Sequence, residues 1–144
     1  MVNIKIKKLH SEAITPKYAH QGDAGMDIYS VEELIIPSKE RGLVKTGLSF
    51  EIPEGYEIQV RPKSGLALNH GLTILNTPGT IDSGYRGEIC VIIFNSSAKD
   101  YQVKKSEKIA QIVLKKVESM DIEEVNELSD SSRGQGGFGS TGIK

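Results

Sequence analysis

The chain has 144 residues, 38% of them hydrophobic and 26% charged, with a formal net charge of -1. That is room for one domain with one modest core, and the balanced charge excludes a general nucleic-acid binder, which needs a basic surface. A single cysteine, Cys90, excludes an intrachain disulfide and a Cys-rich metal centre, and His10, His20 and His70 show no ligand spacing.

In chain order, the dominant signal is strand-like alternation. Val2, Ile4 and Ile6 alternate with Asn3, Lys5 and Lys7. Met1 to His10 has no apolar h-region, so a secretory leader is not expected. No apolar run approaches a membrane span, and the expected location is cytoplasmic, in reducing conditions. Val44, Thr46, Leu48, Phe50 and Ile52 alternate with Lys45, Gly47, Ser49 and Glu51, and Tyr56, Ile58 and Val60 with Glu57, Gln59 and Arg61. Each run predicts one buried and one wetted face, as in an antiparallel sheet.

Ile89 to Phe94 is apolar on both faces and predicts a strand covered on both sides. Pro37, Pro53-Glu54-Gly55, Thr77-Pro78-Gly79 and Asp82-Ser83-Gly84 punctuate the runs at short intervals, which argues for a barrel or jelly roll. Ile109, Ile112, Val113, Val117 and Met120 fall instead at helical spacing, within a stretch of good helix formers from Glu107 to Leu128. Residues 129–144 are rich in Ser and Gly, with little to bury, and predict a mobile arm on one domain spanning 1–144.

Three short motifs do not survive their context. Gly134, Gly136 and Gly139 fit G-x-G-x-x-G, but a dinucleotide fold needs a helix to follow, and only five residues remain. The same stretch lacks the Gly-Lys-Ser/Thr of a phosphate-binding P-loop. Asp82-Ser83-Gly84 matches the triplet of aspartic proteases, but Tyr85-Arg86 follow where those enzymes usually carry Ala.

Five segments carry a more specific pattern: Asp23-Ala-Gly-Met-Asp-Ile-Tyr29, Arg61-Pro-Lys-Ser-Gly-Leu-Ala67, Asn76 to Glu88, Glu107-Lys-Ile-Ala-Gln111, and Arg133 to Gly142. In order and spacing they resemble the trimeric dUTPase family. The resemblance implies an all-β, distorted jelly-roll barrel, assembled as a homotrimer with an exchanged C-terminal arm. It also turns the ambiguous segment at roughly 108–118 into a strand. The implied reaction is hydrolysis of dUTP to dUMP and pyrophosphate with Mg²⁺, which supplies dUMP for dTMP synthesis and keeps uracil out of DNA. Two alternatives share the scaffold: a dCTP deaminase-like enzyme, which lacks the Asp82-to-Glu88 pattern, and a non-catalytic regulatory protein.

The resemblance assigns roles residue by residue, each beside a plainer reading. Asp82, otherwise the start of a tight turn, activates water for attack on the α-phosphorus. Tyr85, otherwise an edge filler, lies against the deoxyribose and leaves no space for a 2′-hydroxyl. Asn76, with the main chain of Thr80, Ile81 and Cys90, borders the uracil; a turn residue and a small core filler are the plainer readings of Asn76 and Cys90.

Lys63, Ser64 and Gly65 contact phosphate, and Gln111 contacts phosphate and water, where a solvated loop and an amide bonded to nearby main chain are the alternatives. The family usually carries Arg at the Lys63 position and Gly at that of Ser106, and a lysine gives a point charge where arginine grips bidentately. Asp27, otherwise a turn residue, reaches the water shell of Mg²⁺ and does not ligate it directly. In the arm, Phe138 stacks on uracil while Arg133, Gly139, Ser140 and Thr141 close over the phosphates. One subunit gives Ser64 and Gln111, a second the Asn76–Tyr85 hairpin and a third the arm. The expected partners are dUTP and copies of the chain itself, with no nucleic acid and no membrane.

Overall fold

The computed structural model describes all 144 residues. Its strands are β1 (Lys5–Lys8), β2 (Met26–Tyr29), β3 (Leu34–Ile36), β4 (Arg41–Glu51), β5 (Tyr56–Arg61), β6 (Leu72–Ile74), β7 (Gly79–Ile81), β8 (Glu88–Asn95), β9 (Tyr101–Val103) and β10 (Lys108–Lys116). One helix, α1 (Ser64–His70), interrupts them. All pairings are antiparallel. They build a sheet β1-β4-β8-β6, a second sheet β2-β10-β5-β7 and a two-stranded ribbon β3-β9. This is the all-β, jelly-roll-like architecture expected, with ladders that remain open and do not close into a continuous barrel.

The core lies between the two four-stranded sheets. Val44, Leu48 and Phe50 of β4 and Ile89, Val91 and Ile93 of β8 meet Ile28, Ile58, Val60 and Ile112 from the other sheet. Burial of these apolar side chains from water is the main driving force for stacking the sheets.

Two strands depart from simple alternation. In β4 every residue from Thr46 to Phe50 is buried, because the ladder to β8 shifts register between Lys45 and Ser49. Gly47 sits at that shift with φ +70°, and a Cβ there would press on Ala13 and His10 at 3.0 and 3.1 Å. The chain before β2 therefore crosses the outside of the bulge and buries what alternation would leave wet. In β8 only the inner face is fully buried in the single chain. Cys90, Ile92 and Phe94 on the outer face are half-buried, so the expected cover on both sides is partial here.

The helical spacing at 109–120 is resolved in favour of a strand. Ile109, Ala110, Ile112 and Val113 of β10 are all buried, so both faces are covered and the period-two signature is lost. From Val117 onward no helix or strand forms.

Candidate active site

The local structure around Ser64 was not foreseen. Lys63 is extended, and α1 starts immediately after it, so Ser64 and Gly65 form the helix's first turn. The helix buries none of its seven residues and ends at Gly71 in the left-handed conformation. Its short length leaves little sequence periodicity by which to detect it.

The side chain of Gln111, midway along β10, donates to the Pro62 carbonyl at 2.9 Å, fixing the chain just before α1. β2 lies on the other side of β10, with Asp27 opposite Gln111 in register and Arg61 of β5 opposite it across the next ladder. This register brings Asp27, Lys63 and Gln111 together from three separate segments. One Asp27 oxygen accepts from the Lys63 ammonium, and the other lies 3.1 Å from Lys108 Nζ.

The Asp27 side chain is only 19% exposed. Burial alone raises its pKa, but hydrogen bonds and charge from Lys63 and Lys108 outweigh that and hold it below the ordinary carboxylate value. Asp27 and Gln111 share a cleft of about 250 Å³ with Asp23 and Gly25. Asp23 closes a local turn by accepting from the His20 N–H at 2.8 Å. Lys63 and Lys108 thus balance the two carboxylates of Asp27 and Asp23, while the cleft's own lining carries no cation.

A second, separate pocket of about 70 Å³ is lined by Asn76, Gly79, Thr80, Ile81 and Cys90, with Val60, Val91 and Ile92 among the apolar walls. β7 positions Thr80 and Ile81 by pairing with Gln59 and Ile58 of β5. Burial pushes the Cys90 thiol up in pKa, and the nearby Glu88 carboxylate adds to this, so the pocket wall carries a neutral thiol. Asp82 follows β7 directly and stands exposed in a turn closed by the Tyr85 N–H on the Asp82 carbonyl at 3.1 Å. The Tyr85 ring folds over Gly87, and its hydroxyl donates to the Glu88 carbonyl at 3.0 Å. The two clefts have no lining residue in common.

The sequence segments thus build an apolar-walled hairpin pocket beside an exposed carboxylate and, apart from it, a cleft lined by Asp23, Asp27 and Gln111, with Lys63 and Lys108 on the Asp27 carboxylate. The dUTPase family profile matches residues 11–142. The chain belongs to the dUTPase family. It is similar to the deoxyuridine 5′-triphosphate nucleotidohydrolase of Clostridioides difficile, at 58% identity over 99% of this chain and 100% of that one. Its fold is similar to that of the Staphylococcus bacteriophage 80alpha dUTPase solved with dUpNHpp, with a TM-score of 0.91, 30% identity, and coverage of 98% and 99% of the two chains. A mutant dUTPase from phage phi11 of S. aureus, which coordinates a structural Mg(II) ion, matches at a TM-score of 0.82 and 25% identity, over 89% and 99%.

Within this dUTPase-family chain, the residues expected at the site fall into three groups. Asp27, Lys63, Ser64, Gly65 and Gln111 gather around the start of α1, while Asn76, Thr80, Ile81, Asp82, Tyr85 and Cys90 gather at the β7–β8 hairpin. Arg133, Phe138, Gly139, Ser140 and Thr141 are exposed in the arm, whose own turns include Arg133 Nε donating to the Gly136 carbonyl at 2.8 Å. Sequence reasoning gave no role to Lys108, although it stands in a quoted segment. Its only signal was a cation at the start of a strand that, Gln111 aside, is apolar as far as Leu114.

Proposed function

We propose that this chain hydrolyses dUTP to dUMP and pyrophosphate, and so supplies dUMP and keeps uracil out of DNA. The observation that carries the reading is the division of the chemistry-bearing residues between two clefts on one chain of a dUTPase-family fold. The pocket at the hairpin suits a flat base, and the cleft at Asp23 and Asp27 suits a hydrated cation, with Lys63 beside it for phosphate.

The hairpin reads uracil by complementing its N3–H donor and two flanking carbonyls with main-chain groups and Asn76. Cytosine reverses part of that pattern, and an unpaired buried polar group is costly. Tyr85 closes the sugar side against a 2′-hydroxyl. Asp82 takes a proton from water as the water oxygen bonds to the α-phosphorus. The bond from that phosphorus to the bridging oxygen breaks, and pyrophosphate leaves with the electron pair.

No set of three His, Cys, Asp or Glu side chains converges anywhere in the chain. Two carboxylates, Asp27 and Asp23, in one cleft fit a hydrated Mg²⁺ that arrives with the nucleotide, not an ion caged by protein. When bound, the ion would neutralise charge on the triphosphate. Asp27 would accept from its water shell, while Lys63, Ser64 and Gln111 hold phosphate oxygens.

The active unit is a homotrimer in which one subunit's Ser64 and Gln111 face a second subunit's hairpin and a third subunit's arm. Leu43 pairs with Ile92, which accepts from the Leu75 N–H, so the three form an apolar row on the outer sheet face, with Leu43 and Leu75 exposed. A cleft of about 420 Å³ lined by Ile4, Ile6, Phe50, Ile58 and Leu114 suits the exposed Met120, Ile122, Val125 and Leu128 of another copy. The arm then lies where Phe138 stacks on uracil and Arg133, Ser140 and Thr141 close over phosphate, excluding water.

Hydrolysis in ¹⁸O-enriched water tests the chemistry. Label in dUMP supports attack at the α-phosphorus, whereas label in pyrophosphate contradicts it. Sedimentation equilibrium should report three times the 15.7 kDa of one chain. A monomer at micromolar concentration defeats the shared site.

A further inference from the structure

We propose that Lys108 is a positioning residue that holds the Asp27 carboxylate when Lys63 turns from it to a phosphate of the nucleotide. This rests on the dUTP-hydrolase reading and adds a division of labour between two lysines.

The geometry behind it is the carboxylate with two cationic partners. Lys63 Nζ occupies one Asp27 oxygen, and Lys108 Nζ lies 3.1 Å from the other. The two cations reach Asp27 from different elements, Lys63 from just before α1 and Lys108 from the first position of β10. Lys63 is the less exposed, at 27% of its side chain, and Lys108 the more exposed, at 53%.

In the free chain Lys63 is therefore committed to Asp27. A triphosphate entering beside Ser64 draws Lys63 away. Asp27, largely shielded from water, would then have no direct cationic partner, only the water shell of the Mg²⁺ that comes with the nucleotide, and a shielded carboxylate stripped of its ion pair is expensive. With Lys108 in place, Asp27 stays neutralised, and Lys63 moves at little cost.

The arrangement matters more here because position 63 is a lysine. A guanidinium offers five donors in a fixed fork and can hold a carboxylate and a phosphate together. An ammonium is a compact charge on a flexible stem, without that fork. A lysine at 63 thus needs a second cation to take over its partner.

The test uses full-length protein with dUTP and with dUpNHpp as the non-hydrolysed probe. Lys108→Met should raise KM for dUTP and Kd for dUpNHpp about fivefold to tenfold, with kcat within about twofold of the parent. K108R should behave like the parent. Adding K63R to K108M should restore KM and Kd, because the guanidinium serves both partners. The proposal is overturned if K108M leaves KM and Kd unchanged, or if kcat alone falls. It is equally overturned if K63R gives no recovery in a variant whose thermal unfolding matches the parent. Absence of dUTP hydrolysis by the parent protein would instead remove the underlying reading, so the two failures are distinguishable.

Discussion

Gln111 Nε2 donates to the Pro62 carbonyl at 2.9 Å, and its Oε1 lies where any side chain at Gly25 would have to go. A Cβ on Gly25 would come within 2.8 Å of that oxygen. The obstructing atom is the end of a flexible side chain, so Gly25→Ala should fold and displace the Gln111 amide. Turnover of dUTP should then fall by ~10²-fold, the scale of a 1 Å misplacement. Circular dichroism melting close to the parent, alongside stopped-assay rates, separates this from a folding defect. Parent-like turnover would free Gln111 from its role.

The Tyr85–Gly87 contact makes a parallel case for sugar selection. A Cβ at Gly87 would overlap the Tyr85 hydroxyl and lie 2.6 Å from the adjoining ring carbon. Gly87→Ala therefore pushes the ring off its seat. The preference for dUTP over UTP, measured as a ratio of kcat/KM values, should drop by about tenfold or more. An unchanged ratio would mean that Tyr85 does not gate the 2′-position.

Ser106 adopts φ 65°, with its N–H donating to the Ser30 carbonyl at 2.8 Å. A left-handed backbone costs an L-residue roughly 1–2 kcal/mol, partly offset by the greater unfolded freedom of glycine. Ser106→Gly should stabilise the fold by about 0.5–1 kcal/mol, seen as a higher midpoint in urea at an unchanged slope. A lower midpoint would show that the serine side chain contributes more than the strain costs.

Acid stability should depend on Asp27. Its folded pKa lies below the ordinary 3.8, so its pairing with Lys63 and Lys108 stabilises fully above about pH 4. The contribution fades as pH falls through the folded value. Urea midpoints between pH 7 and pH 2.5 should fall more steeply for the parent than for Asp27→Asn. Parallel curves would show that the lysines contribute no net stability through this carboxylate.

The sequence made strands visible where one face meets the core and the other meets water. β5 shows this, with Ile58 and Val60 buried and Glu57 and Gln59 half-exposed. β10 was opaque because packing covers both its faces, and apolar residues on consecutive positions imitate a helix. Strands β3, β6, β7 and β9 have three residues each, too few to show a period. At the site, Asn76, Thr80, Ile81 and Cys90 were legible as a group and do line one pocket. The pairing of Lys108 with Asp27 was not, since it depends on the β2–β10 register, which spans some eighty residues of chain.

The decisive experiment incubates the protein, and Asp82→Asn beside it, with Mg²⁺ and each of dUTP, dTTP, dCTP and UTP, then separates the nucleotides by chromatography. Only dUTP should be converted, to dUMP and pyrophosphate without dUDP, and the variant should be slower by roughly 10²–10⁴-fold. Intact dUTP in the presence of the folded parent protein, or an Asp82→Asn variant as fast as the parent, would contradict the proposed mechanism.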